Sequence, residues 1–328
     1  MNTLLWLCSF SFLLSLTSVF LIKNSLSQQL IDIPNERSSH TQPTPRGGGL
    51  GFIIAFAGIL ILNQLLNLNL VNSELYFPWL YLIPLIIIGI VDDWKNVPSS
   101  VRYLVQFLVS TLVVGYCGAF PFPWVTQLGS PGELIASFLT IIGMTALINF
   151  YNFMDGLDGL VAGVTAVQLG FLAIWFNQPS LWLLVAALVG FLYWNWSPAK
   201  IFMGDVGSTI LGGVVAIAYL SNDNTPTSAW LAVTILLPLI GDAIYTLCRR
   251  LLRGENIFKA HRSHLYQRLQ QSGWLHTQVA STYMGMTLLI AVSVYYFGTL
   301  GAIGSGISVL VAVAIAETYL TLAMKPQK

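Results

Sequence analysis

All fourteen lysines and arginines of this 328-residue chain fall in, or at the edge of, alternate connections between long apolar runs. They occupy positions 23, 37, 46, 95, 102, 200, 249, 250, 253, 259, 262, 268, 325 and 328. The intervening connections carry only the acids Glu74, Glu133 and Asp223. A run of about 20 apolar residues crosses a bilayer as a helix, and basic residues collect on its cytoplasmic side. Such complete segregation predicts an all-α, polytopic integral membrane protein of about eleven transmembrane helices, with the N-terminus outside and the C-terminus cytoplasmic. Moving one span would scatter the basic residues over both faces.

The spans are predicted at about 1–22, 47–66, 78–91, 101–117, 134–149, 160–175, 181–194, 208–220, 230–247, 279–297 and 301–322. The short eighth segment also reads as re-entrant. Residues 1–328 form one domain whose cytoplasmic loops are about 23–46, 92–101, 149–159, 195–207 and 249–277. Composition agrees: charged residues are 8% of the chain, against roughly 25% in a soluble domain, and mean hydropathy is +0.74. The first segment has neither a basic leader nor a small-residue cleavage site and reads as a retained span. Cys8, Cys117 and Cys248 are scattered singly, which makes neither a disulfide framework nor a zinc spacing. No basic patch interleaved with aromatics exists, so no nucleic-acid partner is expected.

This topology sends every polar cluster to one membrane face. In NFYNFMDGLDGL, Asn149, Asn152, Asp155 and Asp158 recur every third residue, a spacing that on a helix makes each the neighbour of the next. Gly156 and Gly159 then allow a turn and close approach to a ligand. An ionisable ridge is costly against lipid unless it lines a wet or protein-filled site; a polar helix end is the simpler alternative. Asp92 and Asp93 end an apolar run and precede Lys95. They point about 100° apart, so one can face a metal or phosphate while the other orients a neighbour. At a helix C-terminus two acids oppose the dipole unless a cation sits nearby. In FMGDVGS, Asp205 stands in a glycine turn that opens a helix. It can cap that helix or hold Mg²⁺ against a phosphate.

The basic loop contains HRSH, with His261, Arg262 and His264 among further arginines. These donors suit diphosphate oxygens; with no Cys or third ligand nearby, zinc is disfavoured. A plain topology anchor is the other reading of this loop. Arg46 precedes three glycines in PTPRGGG, which suit an anion or close helix packing. Asp242 and Glu317 lie within or at the ends of spans, as buried polar contacts or as site residues. Together the clusters fit a metal-assisted reaction between a nucleotide diphosphate compound and a lipid phosphate.

VDDWK at Val91, NFYNFMDGLDGL at Asn149, FMGDVGS at Phe202 and HRSH at His261, supported by RSSHTQPTPRGGG at Arg37, occur in this order over nearly the whole chain. In these motifs the chain resembles the polyprenyl-phosphate N-acetylhexosamine-1-phosphate transferases, the bacterial glycosyltransferase family 4. The resemblance implies transfer of a sugar 1-phosphate from a UDP-N-acetylhexosamine to undecaprenyl phosphate, with release of UMP, at the cytoplasmic face of the bacterial inner membrane. It implies Mg²⁺, with Mn²⁺ as a substitute, held by Asp205. Asp92 and Asp93 would act at the lipid phosphate, one as a base. Asn149, Asn152, Asp155 and Asp158 would wall the nucleotide side, and His261 and His264 would contact the donor diphosphate. Arg46, Lys95 and Arg262 would bind substrate. Surrounding membrane lipid is an implied partner, and a homodimer is compatible. The histidine cluster is sparser than in the muramoyl-pentapeptide branch, and the chain looks more like the O-antigen-initiating branch, which uses rarer N-acetylated 6-deoxyhexosamines. Two other classes remain open here. A secondary transporter would hide its acids at the midplane between inverted repeats, and a membrane scaffold would not need Asp205 in a glycine turn.

Overall fold

The computed structural model describes residues 2–26, 30–34, 39–40, 42–68, 76–221, 225–256 and 261–323. Arg37, Glu74, Asp223, Lys259, Lys325 and Lys328, all used in the topology argument, lie outside the described residues. The chain opens with α1 (Asn2–Leu26), followed by a short antiparallel pair, β1 (Ile31–Asp32) with β2 (Thr44–Pro45), and by α2 (Gly49–Leu65). Next come α3 (Tyr76–Leu80), α4 (Ile83–Lys95), α5 (Ser99–Cys117), α6 (Pro123–Thr126) and α7 (Ser130–Met154). The second half comprises α8 (Leu160–Trp175), α9 (Ser180–Asn195), α10 (Gly204–Leu220), α11 (Pro226–Val233), α12 (Leu237–Leu252), α13 (Leu265–Gln271) and α14 (His276–Ala323). Helix covers each expected span. Five helical segments, Thr3–Ser25, Ser99–Cys117, Ser130–Met154, Pro226–Leu252 and His276–Ala323, are long and apolar enough to cross a membrane.

α14 joins the last two expected spans. Its 48 residues would run roughly 70 Å as one helix, more than twice the hydrocarbon thickness, but Gly298 breaks it with φ 52° and ψ −122°. The segments on either side match the expected 279–297 and 301–322. The eighth segment is no shallow loop. α10 is buried from Val206 to Tyr219 and packs against α2, α4, α7 and α8.

Between lipid-embedded helices, association depends on close van der Waals fit, which small residues allow. α10 uses that device on three sides. A Cβ on Gly49 of α2 would come 2.5 Å from the Gly207 Cα, and one on Gly89 of α4 would come 2.5 Å from the Val206 Cα. A Cβ on Gly212 would lie 2.7 Å from the Ile148 Cα of α7. Backbone contact of this kind fixes how far each helix extends past its neighbours. It brings the end of α4, the end of α7 and the starts of α2 and α10 together at one end of the bundle. At the other end, Phe120, Phe122, Trp124 and Trp230 pack together, edge to face except for the tilted Trp124–Trp230 pair, and the Trp230 indole donates to the Pro121 carbonyl at 2.8 Å. Aromatic belts of this kind suit a membrane–water interface.

Candidate active site

The site is built around the first turn of α10. Gly204 has φ +77°, and a Cβ there would fall 2.5 Å from an Asp93 carboxylate oxygen. Glycine therefore lets the Asp93 carboxylate reach the open backbone, where it accepts the N–H of Asp205 at 2.9 Å and of Val206 at 3.4 Å. These are the orphan donors that a helix start must satisfy. Asp93 supplies the cap from another helix, so the Asp205 side chain is not the cap. The segment before the turn is held by strand-like bonds to the glycine loop, with Gly48 N–H to Phe202 O and Gly49 N–H to Met203 O, both at 2.9 Å.

Asp205 instead meets Arg102. One guanidinium nitrogen, Nη1, donates to Asp92 Oδ2 at 2.5 Å and to Asp205 Oδ2 at 2.9 Å. Asp92 also accepts the Val97 N–H at 2.6 Å, closing the turn after α4. Arg102 is therefore the cation that two acids at a helix C-terminus require. Arg46 stands on the other side, 3.5 Å from Asp32 and 3.9 Å from Asp93.

Two cavities meet here. A polar one of about 240 Å³ is lined by Asp93, Asp155, Asp158 and Asp205, with Arg46, His40, Phe202 and His276. The other, about 590 Å³, has a polar rim of Arg102, Asn149, Asn152, His261 and His264 over Phe107, Ile142, Phe150 and Leu247. Gln267 lines both. Ala146 and Phe150 of the larger cavity also line an apolar groove of about 310 Å³ that runs along α7.

The Asn149-to-Asp158 ridge is divided between the cavities, because α7 stops at Met154. Asn149 and Asn152 are on the helix. Asn149 donates to Gln106 of α5 at 2.5 Å and Asn152 to Ser208 of α10 at 3.1 Å. Asp155 is in the turn, where its N–H donates to the Asn152 carbonyl at 3.2 Å, and it lines the polar cavity. Asp158 accepts the Ala199 N–H at 3.1 Å and pairs with His276 at 3.2 Å. Gly159, with φ +72°, turns the chain against the Trp196 ring and donates to Asn195 at 3.0 Å.

Charge is concentrated accordingly. Beyond the apolar segment that ends at Val91, burial pushes the Asp93 carboxyl up to about 6, although two N–H donors and Arg46 oppose the rise. Burial, then the Asp205, Asp93 and Asp158 carboxylates, raise Asp155 well above the usual carboxylate range. Burial opposes ionisation of Asp158, but the His276 hydrogen bond and charge hold it below its ordinary value. Burial, then His264, Arg250 and Arg249, push His261 down to about 4.

The HRSH loop is placed by Asp242. Its carboxylate accepts the N–H of Leu265 at 2.7 Å and of Tyr266 at 3.0 Å, and the Tyr283 hydroxyl donates at 2.8 Å. It caps α13 from α12 as Asp93 caps α10 from α4. The Tyr266 hydroxyl donates to the Phe153 carbonyl at 3.0 Å, tying this loop to the end of α7. Several arginines of the basic loop are structural. Arg249 donates to Ser263 O and Arg250 to Asn256 O, at 2.8 and 2.7 Å, and Arg268 forms a two-point pair with Glu317. Glu317 is thus a structural ion-pair residue.

Comparison with known proteins decides the family. The profile of glycosyl transferase family 4 matches residues 75–222. An undecaprenyl-phosphate alpha-N-acetylglucosaminyl 1-phosphate transferase of Salmonella typhi is 30% identical over 295 residues, covering 81% of this chain and 76% of that protein. The chain belongs to glycosyl transferase family 4. A probable undecaprenyl-phosphate N-acetylglucosaminyl 1-phosphate transferase of Bacillus subtilis is 28% identical, covering 81% of this chain and 78% of its own length. A phospho-N-acetylmuramoyl-pentapeptide-transferase of Deinococcus radiodurans is 29% identical, covering 74% and 82%. Family membership and the long apolar helices make this a multi-pass membrane transferase.

Of the residues that the family resemblance singled out, Arg46, Asp93, Asp155, Asp158 and Asp205 line the polar cavity, and Asn149, Asn152, His261 and His264 line the larger one. Asp92 lies between, bound to Arg102. Lys95 is exposed and lines neither cavity. It is two residues past Asp93 on α4, about 200° around the helix, so burying Asp93 turns Lys95 away. Arg262 also lines neither, and donates to Ser39 at 3.4 Å. Arg102, Gln267 and His276 were not legible as site residues in the family motifs. The available signal for Arg102 was an arginine in the first turn of an apolar helix, ten residues after Asp92.

The acids also suit a hard divalent cation. Asp92 and Asp205 direct one oxygen each at a single point, which Nη1 of Arg102 fills. Among the described residues, no three His, Cys, Asp or Glu groups by themselves form a coordination set. Mg²⁺ fits such a place, since it binds through one or two carboxylates plus waters and substrate phosphates.

Proposed function

We propose that this protein transfers an N-acetylated hexosamine 1-phosphate, the 6-deoxy forms included, from a UDP-sugar to undecaprenyl phosphate. The products are UMP and a lipid-linked diphosphosugar that starts a cell-surface polysaccharide such as O-antigen. Eleven spans, an outer N-terminus and a cytoplasmic site in the bacterial inner membrane complete the reading. The observation that carries it is the meeting of a polar cavity and an apolar-floored cavity at Asp92, Arg102 and Asp205. A soluble nucleotide sugar suits the first cavity, and a lipid phosphate with its chain along α7 suits the second. A transporter would instead need its acids at the midplane.

In this reading Asp205, with Asp92 beside it, holds Mg²⁺, which when bound neutralises charge on the donor diphosphate. Arg46 receives phosphate oxygens from the polar cavity, and His261 and His264 reach them from the other. Asp155 and Asp158 face the donor. Asp93 keeps Asp205 in place through the backbone. The acceptor phosphate has a second pKa of about 6 if it behaves like other monoesters, so it arrives largely ionised and needs little help from a base. An oxygen of the lipid phosphate attacks the β-phosphorus of the donor. The bond from that phosphorus to the bridging oxygen breaks, and UMP leaves with the electron pair. Holding both anions in line supplies much of the acceleration.

UMP release from purified protein, measured with Mg²⁺ and a panel of UDP-N-acetylhexosamines, tests the reading. Release should require undecaprenyl phosphate, and the donor panel identifies the sugar, UDP-muramoyl-pentapeptide included. A stoichiometric UMP burst without lipid would point to a phosphoenzyme and overturn direct attack. No release with lipid, Mg²⁺ and the full panel would remove the transferase function.

A further inference from the structure

Arg102 holds the position at which the acids converge. Its Nη1 lies 2.5 Å from Asp92 Oδ2 and 2.9 Å from Asp205 Oδ2, one nitrogen between one oxygen of each carboxylate. Mg²⁺ takes oxygen ligands at about 2.0–2.1 Å, so two oxygens gathered round one nitrogen need only close slightly to grip an ion. A guanidinium nitrogen and a divalent cation cannot share that point, because they collide and repel. Without a cation at that point Asp205 would face Asp92 uncompensated, beside a cavity lined by five aspartates and by Arg46, which among the described residues stands near only Asp32 and Asp93. Arg102 supplies that charge from within the chain.

The guanidinium also has somewhere to go. The Arg102 side chain is about one-third exposed, springs from the first turn of α5 and lines the larger cavity, whereas Asp205 lines the polar one. We propose that Arg102 is a resident counter-ion that fills the divalent-cation position between Asp92 and Asp205 and withdraws into the larger cavity when the cation binds. This rests on the reading of Asp205 as a metal ligand. Withdrawal puts a planar, permanently charged fork, well suited to phosphate, where the acceptor phosphate is read to bind. Arg102 thereby couples metal loading to acceptor binding. It also lowers the apparent metal affinity by the population of its closed pair.

Mn²⁺ binding to full-length protein in detergent, followed by the paramagnetic resonance of free Mn²⁺, tests this without turnover. Arg102→Gln should bind Mn²⁺ about tenfold more tightly than wild type, and Asp205→Asn should lose binding. Equal or weaker binding by Arg102→Gln, with binding lost in Asp205→Asn, overturns the counter-ion role alone. Unchanged binding in Asp205→Asn removes the metal-ligand reading and this inference with it. If Arg102→Gln does not fold, wild-type protein decides. Phenylglyoxal labelling of Arg102, mapped by peptide mass, should accelerate on adding Mg²⁺, and unchanged or slower labelling overturns the proposal.

Discussion

The carboxylate of Asp93 accepts the backbone N–H of Asp205 at 2.9 Å, so the aspartate that anchors α10 is not the one that faces Arg102. A helix that opens at a site must satisfy its first N–H groups without spending the reactive side chain. Here an acid from a neighbouring helix does so, and Gly204 keeps the gap open. The same solution recurs at α13, which is capped by Asp242 of α12. In both places a buried carboxylate sets the position of a motif by holding its first backbone N–H groups.

Asp205→Asn follows directly. Since Asp205 caps nothing through its side chain, the variant should fold with wild-type stability, yet lose transfer by a factor of roughly 10² or more. Turnover assays and a thermal midpoint decide it. Near-normal turnover would end the metal role.

Gly204→Ala should fail differently. A Cβ at φ +77° would be strained and would strike the Asp93 carboxylate, so both stability and activity should fall. About 1–3 kcal/mol is expected for such a site. Gly115, whose Cβ would meet nothing within 4 Å, provides the control. Equal tolerance at the two positions in thermal melts would contradict the Asp93 cap.

Asp93 predicts a pH effect of definite sign. Its folded pKa, about 6, lies above the ordinary value near 3.9, so the folded protein binds the proton more tightly. The linked stability is fully present below about pH 4 and is lost as pH rises through about 6. The difference is worth at most about 3 kcal/mol. In metal-free buffer, the wild-type midpoint should fall from pH 4 to 7.5, and Asp93→Asn should flatten that fall. An unchanged slope would assign the effect to another group.

His261, pushed down to about 4, stays neutral through the physiological range. His261→Gln should therefore weaken use of the UDP-sugar without removing an inflection between pH 5 and 8. Profiles of kcat/KM for the two proteins test this, and an acid limb lost in the variant would show that His261 titrates there. If the loop were only a topology anchor, neither KM nor kcat would change.

Topology is checked with single cysteines in a background lacking Cys8, Cys117 and Cys248. Lys95→Cys and Lys200→Cys should resist an impermeant reagent in intact cells, while Trp124→Cys should react. Labelling of Arg262→Cys from outside would break the whole layout.

The amino-acid sequence by itself determined the all-α membrane class of this protein, the place of its apolar helical segments and the aspartates worth watching. Length and hydropathy decide whether a segment can lie in lipid, and both are local properties. The spacing of Asp92, Asp93, Asp155, Asp158 and Asp205 beside glycines is local too. Tertiary packing alone decided what each acid does. A carboxylate looks the same in sequence whether it caps a foreign helix, as Asp93 and Asp242 do, or faces a cation, as Asp205 does. The split of the ridge depended on where α7 ends, and the retirement of Lys95 on which side of α4 is buried. Arg102 became a site residue only because close packing of α10 brings Asp205, 103 positions away, against the same nitrogen that Asp92 holds. Charge pairing across that distance is set by helix contact, which neither period nor composition records.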